Sequence, residues 1–244
     1  MGSSAVRILG VRVDCLDMAV ALARIEALVD AQESALVATV NPELVMRACA
    51  DPGFAAVLES AALCLPDGAG VVWAARRRGC AIRERVTGTD LVPALAALCA
   101  RRGWPVFLLG AGPGVAELAA ARLISSSPGL RVAGVHSGSP SAADDPRSLG
   151  KIVAARPKVL LVAYGAPHQE LWIARHRERL GVPVAIGVGG AFDFLSGRVP
   201  RAPAWMRQAG LEWAFRLARQ PWRARRMAVL PVFALRVLRE GGLL

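Results

Sequence analysis

Most of the signatures that usually announce a function are missing from this 244-residue chain. There is no Gly-Lys-Ser or Gly-Lys-Thr, which excludes the phosphate loop of nucleoside triphosphatases. Five cysteines, Cys15, Cys49, Cys64, Cys80 and Cys99, form no Cys-x-x-Cys pair. That removes zinc ribbons and dithiol redox motifs. Their odd number and apolar surroundings predict buried free thiols in a reducing cytosol. The three histidines, His136, His168 and His176, lack the spacing of a metal site. The N-terminus has no apolar core of the signal-peptide kind, and no run of about 18 apolar residues can form a spanning helix. The longest candidate in the tail, Met227 to Leu235, is short and contains Pro231.

What is present is a core and a basic end. Hydrophobic residues make up 54% of the chain, enough for a packed domain with nothing to suggest disorder. The net charge is +11, and most of the excess is local. From Arg198 to Arg239 there are ten arginines (198, 201, 207, 216, 219, 223, 225, 226, 236 and 239) against one acid, Glu212. A field of that kind suits a nucleic acid, an anionic lipid surface or a phosphorylated ligand. The division falls at a glycine-dense turn, Gly187-Val-Gly-Gly190. We therefore expect a domain over residues 1–195 and a basic, apolar, helical appendage over 196–244.

Within the domain, apolar runs alternate with helical segments. Strands are expected at Val6 to Val13, Leu36 to Val40, Ala62 to Leu65, Pro105 to Leu109, Leu130 to Val135, Val159 to Ala163 and Val184 to Val188. Helices lie between them. The runs are continuous rather than alternating, the pattern of strands buried on both faces. The expected fold is a doubly wound α/β domain with a mostly parallel sheet and helices on both faces. Ligands in such sheets bind beyond the carboxyl ends of the strands.

Four polar clusters occupy that position. Thr39 and Asn41 flank one strand end; they can hydrogen-bond a sugar or a base, or cap the helix begun by Pro42. Asp67 lies between Pro66 and Gly68 after a buried strand; it can take a proton from a hydroxyl, or cap the next helix. Gly110 to Gly114 is either a phosphate-cradling turn or a plain tight turn, since it lacks the full dinucleotide spacing. A nicotinamide cofactor would also need an acid about 20 residues on, and Leu130 to Val135 offers none. Gln169 and Glu170 open a helix after Gly165-Ala-Pro167; the amide can donate to a diphosphate or sugar. No Asp-x-Asp occurs, so the usual carboxylate pair that holds a divalent ion on a nucleotide-sugar is missing. Metal-free, cofactor-free chemistry is expected, with cationic side chains neutralising a leaving diphosphate.

In the appendage, aromatic and aliphatic residues are interleaved with arginines, as in an interfacial helix on anionic lipid. Nucleic acid is the competing partner, but no named nucleic-acid motif is present. Arg216, Arg223 and Arg226 are spaced by seven and three, so on a near-continuous helix they share a face.

Eight landmarks stand in register from Val6 to Arg226: Thr39-Val-Asn-Pro-Glu43, Leu65-Pro-Asp-Gly68, Glu84-Arg-x-x-Gly-x-Asp90, Gly165-Ala-Pro-x-Gln-Glu170, Gly187-Val-Gly-Gly-Ala-Phe-Asp193, Arg201-Ala-Pro203, Leu211-Glu-Trp213 and Pro221-x-Arg-x-x-Arg226. Together they resemble the WecG/TagA/CpsF glycosyltransferases. The resemblance implies an inverting, metal-independent enzyme that moves N-acetylmannosamine, or a related sugar, from a UDP-sugar to N-acetylglucosamine on undecaprenyl diphosphate. It implies a role in cell-surface polysaccharide or teichoic-acid-type synthesis. Asp67 matches the family's base. Thr39, Asn41, Arg85 and Gln169 match pocket residues, and Arg216, Arg223 and Arg226 match arginines of an appendage that docks on the cytoplasmic face of the cell membrane. No nucleic-acid partner is implied, and a homo-oligomer is compatible with the pattern. His168 and Tyr164 depart from the commoner residues at their positions. The rival class is a non-catalytic α/β protein that binds membrane or nucleic acid.

Overall fold

The computed structural model describes residues 4–219, 221 and 224–240, with the side chains of residues 208, 216, 225 and 226 outside that description. The chain opens with a hairpin, β1 (Ala5–Ile8) and β2 (Val11–Asp14), paired antiparallel. The single strand expected over Val6 to Val13 is thus two strands. Leu9 and Gly10 take φ of 49° and 87°, the paired positive values that reverse a chain in two residues. Gly10 gives the signal, but Leu9 hides it.

Eight helices and six strands follow as far as β8. α1 (Met18–Ala31) starts where the Asp17 carboxylate accepts from the Val20 N–H at 3.1 Å. It is followed by β3 (Ala35–Val40), α2 (Pro42–Ala50), α3 (Pro52–Glu59) and β4 (Leu63–Pro66). Next come α4 (Ala69–Arg77), α5 (Gly88–Arg102), β5 (Val106–Gly110) and α6 (Val115–Ser126). Then follow β6 (Val132–His136), α7 (Asp145–Ala155), β7 (Val159–Ala163), α8 (His168–Leu180) and β8 (Val184–Gly187). The six strands from β3 to β8 form one sheet in the order β4-β3-β8-β7-β5-β6, and every pairing is parallel.

The strands carry apolar residues on both faces because both faces are covered. Along β3, Leu36, Ala38 and Val40 enter one core with α2, α3, α4, α7 and α8; Ala35 and Val37 enter the other with α1, α5 and α6. Successive residues of a strand point to opposite faces, so this partition is the expected one.

Beyond β8 the chain forms α9 (Ala191–Leu195), α10 (Ala204–Gln208), α11 (Glu212–Arg219), α12 (Ala224–Met227) and α13 (Val229–Glu240). The near-continuous helix expected through Arg216 and Arg226 is instead two, α11 and α12. Pro221, between α11 and α12, lacks the N–H that the interior of an α-helix needs. α13 returns to the domain, where Phe233 and Val237 are each 2% exposed and join the core that α2 and α4 also line. Among the described residues no helix is long and apolar enough to cross a membrane.

The thiol expectation is corrected at two positions. Cys15 and Cys80 form a disulfide, with Cα atoms 5.6 Å apart. Sixty-five residues separate them in sequence, and only the fold brings the end of β2 beside the exit of α4. Cys64 and Cys99 are buried and Cys49 is exposed. Burial pushes the Cys64 thiol up to about 11 and the Cys99 thiol up to about 12, which keeps both protonated.

Candidate active site

The carboxyl ends of β4, β3, β8 and β7 face one cavity of about 390 Å³. Thr39, Asn41, Asp67, Tyr164, Gln169 and Asp193 are among its walls. Thr39 is buried, and its hydroxyl donates to the Gly187 carbonyl at 2.9 Å, tying the ends of β3 and β8 together. Asn41 caps α2 by accepting from the Leu44 N–H at 3.0 Å, while its residue still borders the cavity. Capping and lining are compatible because the cap lies on the strand-end rim.

Asp67 follows β4 and continues its pairing, with its N–H donating to the Val40 carbonyl at 2.8 Å. Gly68 stands at the N-cap position of the helix that follows, where a glycine has no side chain to cap with. Gly68 has φ 86°, a value that favours glycine. Asp67 is half-buried and lines the cavity.

Gln169 is 1% exposed and forms the cavity floor. Its carbonyl oxygen accepts from the Gly165 N–H at 3.2 Å and the Gly189 N–H at 3.0 Å. One amide therefore clamps the loops after β7 and β8. Its Nε2 donates to Glu170 Oε1 at 2.7 Å. Glu170 is fully buried, its Oε2 has no hydrogen-bond partner, and burial pushes its carboxyl up to about 7. A Cβ on Gly187 would come within 2.7 Å of both the Gln169 and Glu170 side chains, so the strand end passes too close to them for any other residue.

A second cavity of about 160 Å³ adjoins the first. The two share Asn41, Glu43, Asp67 and Thr89, so Asp67 stands on the wall between them. Arg85 lines the second cavity, together with Glu212, Trp213 and Met227. Arg85 donates to the Arg207 carbonyl at 2.8 Å and lies 3.8 Å from Glu212. Sequence reasoning gave no role to the neighbouring strap. Arg201 makes a two-pronged pair with Asp90 at 2.6 and 2.7 Å and reaches Glu212 at 3.6 Å. Burial opposes ionisation of Asp90, but the bonds from Arg201 and Thr87 outweigh it and hold the carboxyl below its usual range. The motifs Glu84 to Asp90, Arg201 to Pro203 and Leu211 to Trp213 were the available signal; their meeting point was not.

Several expectations fall elsewhere. The turn from Gly110 to Gly114 is absent from both cavities among the described residues. A Cβ at Gly110 would sit 2.7 Å from the Ala163 carbonyl carbon, and the turn serves close packing of β5 on β7. Arg223 lies outside the described residues, as do the side chains of Arg216 and Arg226. Their helices, α11 and α12, bring Trp213 and Met227 to the second cavity. Among the described residues, no three His, Cys, Asp or Glu side chains gather in a metal-holding group.

A parallel sheet with paired cavities at its strand ends and a carboxyl on their common wall has the form of a two-substrate transferase. Residues 6–243 match the family described as "Glycosyl transferase WecG/TagA/CpsF family", and the chain belongs to that family. It is similar to an N-acetylglucosaminyldiphosphoundecaprenol N-acetyl-beta-D-mannosaminyltransferase of Bacillus subtilis (strain 168), 37% identical over 212 residues that cover 87% of this chain and 82% of the relative. A protein of the same description from Bacillus spizizenii is 36% identical over 211 residues, covering 86% and 81%. These findings set aside the non-catalytic alternative.

Proposed function

We propose that the protein transfers N-acetylmannosamine, or a closely related sugar, from a UDP-sugar to the N-acetylglucosamine of a lipid-diphosphate acceptor. The observation that carries this reading is the position of Asp67 on the wall shared by two cavities. The larger takes the donor. α2, α5 and α8 all begin at its rim, so three helix N-termini favour the anionic diphosphate. The smaller takes the acceptor sugar. Asp67, between them, accepts the proton of the attacking hydroxyl as that oxygen bonds to the donor's anomeric carbon. Attack from the face opposite the leaving UDP gives inversion.

Thr39 and Asn41 hold the strand-end rim against the donor, and Gln169 keeps the floor in shape by clamping Gly165 and Gly189. Arg85 faces the acceptor side. Arg216, Arg223 and Arg226 are assigned to the leaving diphosphate, supported by the nearness of α11 and α12 to the second cavity. Fixed cations in that place replace a divalent ion, so no metal enters the proposed reaction. The segment 196–244 is proposed as the part that faces the inner surface of the cell membrane. The relatives' descriptions, which name a diphosphoundecaprenol substrate, support a peripheral location.

The deciding experiment is a screen of UDP- and GDP-sugars with an N-acetylglucosaminyl-diphospho-lipid of short chain. Product is expected with UDP-N-acetylmannosamine and with EDTA present. Loss of all turnover on chelation, restored by magnesium or manganese, overturns the metal-free mechanism.

A further inference from the structure

An apolar cleft of about 540 Å³ runs between α4 and the C-terminal helices. Trp73 of α4 forms one wall; Trp213 and Leu217 of α11, Met227 of α12, and Pro231 and Phe233 of α13 form the others. Its size falls in the range of small-molecule sites, roughly 300–1,000 Å³. Trp73 is 36% exposed and Trp213 45% exposed. Two such aromatics facing one cleft leave a patch that a ligand can cover.

The inner end of the cleft opens on the acceptor cavity. Pro42, Ala69, Gly70, Trp213, Met227 and Leu230 line both, and the acceptor cavity reaches Asp67 and Arg85. Gly70 keeps this junction narrow. A Cβ there would meet Pro42 Cγ at 3.0 Å and Phe233 Cε1 at 3.5 Å. A cation stands at Trp73, where the Arg77 guanidinium lies 5.6 Å from the ring centroid. An apolar trough thus leads to a polar chamber with a carboxyl and an arginine.

We propose that this cleft holds the first isoprene units of the acceptor's polyprenyl tail. The inference rests on the reading of the protein as a transferase with a lipid-diphosphate acceptor, and adds where the lipid runs. The continuity of cleft and chamber selects the occupant. A chain lying in the cleft must carry its phosphate toward Asp67. For a polyprenyl diphosphate sugar, that places the reacting hydroxyl on the base. A bilayer phospholipid in the same cleft would put its own headgroup in the acceptor's seat and block transfer. The later isoprene units remain outside, because a cleft of this volume accepts only the first few.

The test uses the full chain and calorimetric binding of inorganic diphosphate and of geranyl, farnesyl and geranylgeranyl diphosphates below their aggregation concentrations. Affinity is expected to rise about tenfold or more from geranyl to farnesyl as apolar surface is buried. The next step, to geranylgeranyl, should gain less than about threefold once the cleft is full. Ala234→Phe narrows the cleft from α13 and should abolish the geranyl-to-farnesyl gain, with its melting curve checked first. If that variant does not fold, the chain-length series on the native protein decides alone. Affinity indifferent to chain length overturns the proposal. So does affinity that climbs by equal steps through geranylgeranyl, the behaviour of unsaturable surface partition. Displacement of farnesyl diphosphate by dihexanoylphosphatidylglycerol at equal concentration assigns the cleft to acyl lipid and overturns it too. Absence of sugar transfer with every donor would sink the functional reading, and the binding series reports independently of it.

Discussion

Two carboxyls at the site are set apart by their surroundings. Asp67 is half-buried on the cavity wall, and Glu170 is sealed beneath the floor with one oxygen unpartnered. If Asp67 is the base, Asp67→Asn keeps the shape and removes the proton acceptor. Turnover is then expected to fall about 10²–10⁴-fold, with the melting temperature little changed. A folded Asp67→Asn enzyme with near-normal kcat would return Asp67 to a structural role. Glu170 makes a different prediction. Its folded carboxyl titrates at about 7 because burial disfavours the charge, whereas the unfolded carboxyl titrates near 4.3. Below the unfolded value both states hold the proton and the full stability is present. As pH rises toward 7 the unfolded chain releases its proton and the folded chain does not, so stability is lost across that window. The loss is on the order of 3 kcal/mol. Glu170→Gln should flatten it, as read from urea midpoints of both proteins at pH 4.5, 6 and 8. Equal pH dependence in the two proteins would show that Glu170 is ionised in the fold. The place of Asp67 at a strand end was legible from its flanking proline and glycine, but its role was not, since the same position suits a helix cap. The burial of Glu170 was not, since its position at the start of a helix suggested only an ordinary dipole partner.

At the scale of elements, the strap from Arg201 to Glu212 borders the second cavity, proposed above for the acceptor, through Gly210 and Glu212. Arg201 grips Asp90 at the start of α5, and Glu212 at the start of α11 faces both Arg201 and Arg85. These charges are partly shielded, so removing one partner leaves others uncompensated. Arg201→Ala is expected to cost roughly 1–3 kcal/mol of stability and to raise the acceptor KM more than the donor KM. Thermal unfolding and steady-state kinetics against each substrate check this; an equal rise in both KM values would deny the strap a place on the acceptor side. Strands and helices of the sheet were legible because continuous apolar runs and caps such as Asp17 and Asn41 are local signals. The split of the tail into α11, α12 and α13 was not. Pro221 marked the break, but the arginine spacing of seven and three suggested a single face. Ion pairs such as Asp90 with Arg201, 111 residues apart, leave no local trace at all.

Over the whole molecule, charge and apolar exposure coincide at one end of the chain. The ten arginines between Arg198 and Arg239 accompany Trp205 at 63% exposure, Trp213 at 45%, Val232 at 45% and Leu235 at 40%. Neither feature alone would attach a protein to a bilayer firmly, but basic side chains contribute about 1 kcal/mol each near an anionic surface and apolar ones insert at the headgroup boundary. α13 is held to the domain by Phe233 and Val237, and it lines the apolar cleft through Pro231 and Ala234. On the proposed reading, a prenyl chain in a bilayer would enter the cleft from the side carrying these exposed residues. Binding to vesicles containing phosphatidylglycerol is therefore expected to exceed binding to phosphatidylcholine vesicles by about tenfold or more, and to weaken as salt shortens the screening length to about 8 Å and below. Replacing Arg236 and Arg239 together by glutamine should weaken vesicle association further than it lowers turnover on a short-chain, water-soluble acceptor, because both lie on α13 away from the residues assigned to the reaction. Sedimentation with vesicles, run beside that soluble assay, separates the two effects. Equal binding to neutral vesicles, indifference to salt, or preference for nucleic acid over lipid would show that the basic end serves something other than the membrane.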